Sequence, residues 1–442
     1  MISVTVTKGY DLPISGRPSP EVKTLKKPLR VASLPERIPF IKPRLQVEVH
    51  DHVKIGSVLY EDKQNTDLKF LSPGSGTVTA INFGERRVLR EIVIELDREE
   101  QVVDFPKIAD SDIRSLERES LIRMLMQGGV WTLIRELPFR NIADPKSSPS
   151  SIWVVMDSGE PFQASPEVYL RGREALFSFG LKIIKRLGIP VNVSAPDHLR
   201  LLGISEMITH RVRGPYPAHD PGVVLYQTKK SASENVCWYL TGQDLLAIAS
   251  LVKNGKYPVE RIVAAGGSRV KTGCHFQTRT GAPIRDMIPE LADDTTCVAG
   301  GLLTGYVVDA DSFLGLHETS LFCMDKGDQA QLFGFLRPGL AKHSYSRTFL
   351  SVFRKQPFDM DSGMHGEERA CVNCGSCTRV CPVDILPQFT IKCLAADAIE
   401  EVLAHGLLDC VECGLCSYVC PSKIELREIL RKAKHDYYME QK

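Results

Sequence analysis

Short runs in which apolar and polar positions alternate fill the first hundred residues: Leu45–Val49, Ser57–Tyr60, Thr77–Ile81 and Ile92–Leu96. Alternation with period two turns one face of an extended chain toward a core. Turn-forming Ser72-Pro73-Gly74-Ser75-Gly76 punctuates these runs. The pattern predicts a β-rich domain over residues 1–102. From 103 to 255 the period lengthens. Leu116–Met126 and Glu167–Arg186 carry helical spacing, while Ser151–Val155 and Pro190–Val193 are short apolar runs of strand type. Helix alternating with strand predicts an α/β layer domain there. A second β-rich stretch occupies 256–354, densest from Arg261 to Met324. A polar linker with Pro357 and Gly363 then leads to a helical segment, 362–442.

Composition changes this picture at one point. The chain has 442 residues, 43% of them hydrophobic, with 55 basic against 54 acidic residues. That length and balance suit several folded domains, exclude disorder, and give no global field for nucleic acid. Of 13 cysteines, however, nine lie between Cys371 and Cys420. Clustered thiols point to a site rather than to a disulfide framework. No run reaches the roughly 18 apolar residues of a membrane span, and the N-terminus lacks a secretory pattern. The expected localisation from these features is cytoplasmic.

The cysteines form two runs of one spacing. Cys371, Cys374, Cys377 and Cys381 precede Pro382, and Cys410, Cys413, Cys416 and Cys420 precede Pro421. In two-cluster ferredoxins three thiolates two residues apart bind one cubane, and the fourth of each run binds the other. The spacing therefore assigns Cys371, Cys374, Cys377 and Cys420 to one [4Fe-4S] cluster, and Cys410, Cys413, Cys416 and Cys381 to a second. Zinc would need four tetrahedral ligands, usually as two separated pairs, and this topology is wrong for it. Gly375 and Gly414 supply backbone freedom for the loops. Cys393, Cys237, Cys274, Cys297 and Cys323 read as core residues. The helical insert 383–409 indicates an α-helical ferredoxin. Ser422 and Glu425 read as a capping box before a helix whose apolar stripe is Leu426, Ile429, Leu430, Ala433 and Tyr437.

A two-cluster domain is a relay, and such relays are often fed by NADH through a flavin. Phosphate cradles need a glycine-rich turn before a helix. Neither a G-x-G-x-x-G nor a P-loop is present. The nearest match, Gln127-Gly128-Gly129-Val130-Trp131-Thr132-Leu133, carries Trp131 and Leu133 where glycines would admit a cofactor. FMN and NADH are not expected in this chain.

Three resemblances follow from particular residues. Val47–Leu59 followed by Phe70–Val78 resembles the barrel-sandwich hybrid of biotinyl and lipoyl carriers, without their modifiable lysine tip. Over 1–355 the chain resembles the A-type subunit of sodium-translocating NADH:quinone reductases. Lys8–Ile14, Leu59–Lys63, Arg86–Leu89, Gly129–Thr132, Leu137–Phe139, Gly214–Pro217, Leu303–Gly305 and Phe333-Gly334 through Ser346–Leu350 carry that likeness. The C-terminal 80 residues resemble the iron–sulfur domain of the C-type subunit of Rnf complexes. The resemblance implies a multidomain α/β chain: a barrel-sandwich hybrid domain (1–102), a Rossmann-like domain (103–255), an SLBB β-grasp domain with its extension (256–354) and an α-helical ferredoxin domain (362–442). It further implies a peripheral electron-transfer subunit on the inner face of the cell membrane, docked on membrane partners of an Nqr- or Rnf-like complex and relaying electrons toward quinone. Trp131, Arg135, Phe139, Arg140, Gly214 and Pro215 are the candidate quinone contacts. Alternatives are an NADH- or ferredoxin-dependent reductase of the Rnf type, and a structural docking subunit.

Overall fold

The computed structural model describes residues 1–327, 336 and 338–442; Phe333-Gly334 of the resemblance lies outside them. The barrel-sandwich region consists of two small sheets. Arg30–Ser33, Leu89–Leu96, Gly76–Phe83 and His52–Val53 form one, and Pro43–Leu45, Val58–Asp62 and Asn65–Leu71 the other. Val31, Leu59, Val78, Ile92 and Ile94 fill the space between them, fully buried. The predicted run Leu45–Val49 is strand only as far as Leu45. Beyond it the chain turns, with the Glu48 amide donating to the Asp51 carboxylate at 2.7 Å and His50 at φ +80°.

The first 24 residues do not join this sandwich. Ile2–Thr5 pairs in parallel with His210–Arg213, and Val22–Thr24 pairs with Cys274–Arg279. Only Val4 of the first strand is buried, so this is an edge strand extending the neighbouring domain's sheet.

That neighbour is a seven-stranded sheet ordered Ile2–Thr5, His210–Arg213, Val191–Pro196, Ile152–Val155, Cys237–Thr241, Arg135–Leu137 and Asn141–Ile142. The first five strands are parallel and the last two antiparallel. A parallel sheet must be covered on both faces. Helices Glu174–Lys185 and Gly242–Asn254 cover one, through Phe177, Ile184, Leu245 and Ile248. The predicted helix 167–186 is in fact two, Pro166–Tyr169 and Glu174–Lys185, separated at Gly172 with φ +74°. Helix Gly242–Asn254 opens on a capping box, Thr241 with Asp244, and ends at left-handed Gly255.

The second face is covered by helix Pro221–Thr228 together with the C-terminal domain. Val4, Trp153, Val155 and Tyr239 of the sheet share one apolar core with Val223 and Val224 of that helix and with Val383, Ile385, Leu407 and Leu430. The cysteine-bearing domain thus completes a helical layer, and its docking is part of the α/β core.

The third sheet runs Tyr306–Val308, Thr295–Ala299, Ser320–Asp325, Glu260–Gly266, Cys274–Arg279 and Val22–Thr24. Cys297 and Cys323, read as core thiols, are indeed buried but sit directly opposite each other and form a disulfide. Cys237 and Cys274 are buried in strands, and Cys393 lies half-buried on helix Pro387–Ala395.

Candidate functional site

The C-terminal domain is built from Ser376–Val380, Pro387–Ala395, Ile399–Ala404, Leu415–Tyr418 and Leu426–Glu440. Its two cysteine loops repeat in conformation as well as in sequence. Asn373 and Glu412 have φ +55° and +56°, Gly375 and Gly414 +71° and +80°, and Asp384 and Lys423 +54° and +60°. Left-handed backbone at matching positions, including non-glycine residues that adopt it at a cost, marks two copies of one wrapping loop. Gly375 and Gly414 each open the short helix that carries the third cysteine of its run.

The loops gather the eight cysteines into two pockets. Cys371, Cys374, Cys377 and Cys420 line one, together with Gln388 and Ile424. Cys381, Cys410, Cys413 and Cys416 line the other, with Arg427 and Leu430. Cys377 borders both, so the pockets adjoin. Among the described residues no three His, Cys, Asp or Glu side chains gather around one point as a lone ion requires. Zinc draws its sulfurs to within about 2.3 Å of a centre. Four cysteines spaced around each pocket, with Gly375 or Gly414 in the lining, suit a group of several atoms instead.

The pockets differ in setting. Cys371 and Cys374 are exposed, and Val372 between them is 68% exposed. The second set faces inward. Cys410 is buried, Gly222 of the α/β domain abuts Val411, and Gly414 abuts Leu303 of the third domain. Burial pushes the Cys381 thiol up to about 11 and raises Cys410, Cys413 and Cys416. Without a metal these thiols stay protonated, so loading the pocket releases protons. Cys374 is lowered instead, by the Ser376 hydroxyl beside it.

Side chains from distant segments hold the inner loop. Lys434, only 2% exposed, donates to the Cys410 carbonyl at 2.8 Å and pairs with Glu412 at 2.9 Å. Arg140 reaches both oxygens of Asp220 at 2.8 Å and the Val411 carbonyl at 2.9 Å. Arg427 donates to the carbonyls of Glu412 and Thr304, each at 3.0 Å. The Tyr216 hydroxyl lies 2.8 Å from both the Cys413 carbonyl and the carboxylate of buried Glu160. Burial raises Glu160, a shift its hydrogen bonds from Thr304, Tyr216 and Leu303 moderate. Although burial acts to raise Glu412 too, Lys434 and Arg140 outweigh it and hold that carboxyl low.

Two expectations for the last helix change. Ser422 makes no capping box; its hydroxyl donates to the Ala370 carbonyl at 2.9 Å, and the helix starts at Leu426 without a side-chain cap. Its buried positions are Leu426, Leu430, Lys434 and Tyr438, whereas Ile429 is 37% exposed.

The six candidate quinone contacts are dispersed, and neither cysteine pocket is lined by any of them. Trp131 is wholly buried, edge-on to Trp238, its indole N–H on the Ala143 carbonyl. Arg135 lies over the Tyr239 ring at 4.6 Å. Phe139 packs on Tyr437 and Tyr438 of the last helix. Gly214 packs on the Val6 carbonyl, and Pro215 beside Gly9. Phe139 and Arg140 therefore join the α/β domain to the cysteine domain. Lys434 and Arg427 are the residues sequence reading missed, and Tyr216 stood out only as part of the Gly214–Pro217 stretch. For Lys434 the one signal was its i, i+4 spacing from Leu426 and Leu430.

These features define a class: a multidomain oxidoreductase subunit in which an α/β body carries a dicluster iron–sulfur domain. Family models match accordingly: an NqrA N-terminal barrel-sandwich hybrid domain at 4–97, an NqrA second alpha/beta domain at 116–257 and a 4Fe-4S dicluster domain at 370–424. The A-type subunit of the Na(+)-translocating NADH-quinone reductase of Klebsiella pneumoniae (strain 342) is 34% identical over 92% of both chains. Those of Histophilus somni (strain 2336) and Pseudomonas aeruginosa PAO1 are 32% and 33% identical, again over 92% of each. The chain belongs to the NqrA family of Na(+)-translocating NADH-quinone reductase subunits. A solved NAD+-reducing [NiFe]-hydrogenase matches at 12% identity over 51% of this chain and 52% of that one, with TM-score 0.33.

Proposed function

We propose that this chain is the iron–sulfur electron-relay subunit of a membrane Na+-translocating NADH:quinone oxidoreductase, passing electrons toward quinone. One observation carries the reading: the eight cysteines fall into two adjoining pockets with crossed fourth members, one at the surface and one against the α/β body. A [4Fe-4S] group in each would supply reversible one-electron storage. The protein's own part is to hold four thiolates around each group, to leave the Cys371–Cys374 edge open to a partner and to screen the inner set from water. No described helix is long and apolar enough to cross a membrane; in this reading the chain attaches through membrane partners, on the cytoplasmic side. Trp131 is wholly buried against Trp238, and in this reading electrons enter from a partner rather than from NADH bound here.

Iron and sulfide analysis of the purified full chain, with electron paramagnetic resonance during reductive titration, tests the reading. The expected result is about eight irons per chain and two reducible centres. Iron for one set only, or centres that never reduce when the assembled complex receives NADH, would overturn it.

A further inference from the structure

The inner loop has every backbone carbonyl from Cys410 to Cys413 engaged by a side chain of another segment. Lys434, Arg140, Arg427 and Tyr216 serve the four in order, at 2.8, 2.9, 3.0 and 2.8 Å. Three of these side chains are cations. Glu412 and Asp220 are the carboxylates paired with them, and Arg427 forms no ion pair among the described residues. In the outer loop, among the described residues, only the Cys374 carbonyl receives a side chain. That contact comes from Arg379 at 3.3 Å, at an exposed position.

A negatively charged group that gains an electron is stabilised by fixed positive charge, and far more so behind low-dielectric walls than in water. Hydrogen bonding and net charge around a cluster are established levers on its potential. We propose that Lys434, with Arg140 and Arg427, is a positioning residue that raises the reduction potential of the group held by Cys381, Cys410, Cys413 and Cys416. The inference rests on the reading that both cysteine sets hold clusters. Its consequence is a bias: the cations make the inner set a better electron acceptor than it would be without them.

The test is a reductive titration of the full-length chain, followed by electron paramagnetic resonance, with iron counted in the same samples. Lys434→Met removes the charge and keeps an apolar stem. At full iron, one of the two waves is expected to move to more negative potential while the other stays. The double variant Lys434→Met/Glu412→Gln removes a cation and an anion together, and should return that wave most of the way. Arg379→Gln should move neither wave. Should Lys434→Met lose iron, Lys434→Arg decides: a wild-type potential supports the proposal, and a shifted one at full iron overturns it. Full iron with both waves unmoved, or moved to positive potential, overturns this inference alone. Wild-type protein with iron for fewer than two sets overturns the underlying reading and this inference with it.

Discussion

The two cysteine loops share a spacing and a backbone, yet the protein treats them differently. Gly375 borders open space, while Gly414 touches Leu303. Cys371 and Cys374 face solvent, while Cys410 is sealed between the last helix and the α/β body. The repeated sequence specifies how a chain wraps a cluster. Everything outside the repeat specifies what surrounds it: four distant residues on the inner loop's carbonyls, one exposed arginine on the outer loop's. A duplicated motif has thus become two unlike sites through its neighbours.

The sharpest way to break this comparison is to remove one ligand from each loop. Cys413→Ser should lose the inner group, about half the iron, and also weaken the core shared with the sheet. Cys371→Ser should lose a similar share of iron while leaving the melting temperature of the chain close to wild type. Iron and sulfide assays with a thermal melt check both; equal loss of stability in the two variants would show that docking does not depend on the inner loop.

Arg140 gives the next largest effect. Removing it strands partly buried Asp220 and the Val411 carbonyl, and a desolvated group left without its partner costs about 1–3 kcal/mol. Arg140→Ala should therefore destabilise by about that amount in denaturant titration. Arg379→Ala at the exposed loop should stay within about 0.5 kcal/mol.

The comparison also explains what sequence could reveal. The candidate cluster ligands are close together in the chain, so C-x2-C-x2-C-x3-C-P displays them, and the two pockets support their crossed assignment. The barrel, α/β and helical domains were legible because periodicity and family motifs are local too. Lys434, Tyr216 and Arg140 act on the inner loop from 24, 197 and 271 residues away, and no local pattern records such convergence. Arg140 and Phe139 stand out in the sequence only as candidate quinone contacts, since a short motif does not show which neighbour its side chains meet. Ser422 has the letters of a capping box, and a tertiary bond to Ala370 claimed its hydroxyl. The disulfide between Cys297 and Cys323 depended on strand register, which two isolated strand-like runs do not give.

A third test concerns pH. Burial raises Glu160 above its ordinary 4.5, so the folded chain binds its proton more tightly than the unfolded chain does. The sign follows: from about the ordinary value up to the raised one, the folded state holds the extra proton and stability falls as pH rises. The slope from this one group is at most about 1.4 kcal/mol per pH unit. Glu160→Gln, which keeps an acceptor for Tyr216, should flatten that part of the profile measured by denaturant titration. An unchanged profile would show that folding does not shift the Glu160 carboxyl.

The smallest effect isolates the contact itself. Gly375 and Gly414 occupy equivalent left-handed positions, φ +71° and +80°. Alanine at either should cost about 1–2 kcal/mol for that backbone region. At Gly375 a methyl group would meet nothing within 4 Å, so the backbone penalty is the whole cost. At Gly414 it would meet the Leu303 side chain and carbonyl at 3.1 Å, adding strain where the cysteine domain rests on the third sheet's domain. Gly414→Ala should therefore destabilise more than Gly375→Ala, and Asn, which tolerates left-handed backbone, should rescue position 375 better than 414. Equal melting temperatures for the two alanine variants would mean that the loops differ in burial but not in mechanical support. The asymmetry between the sites would then rest on charge alone.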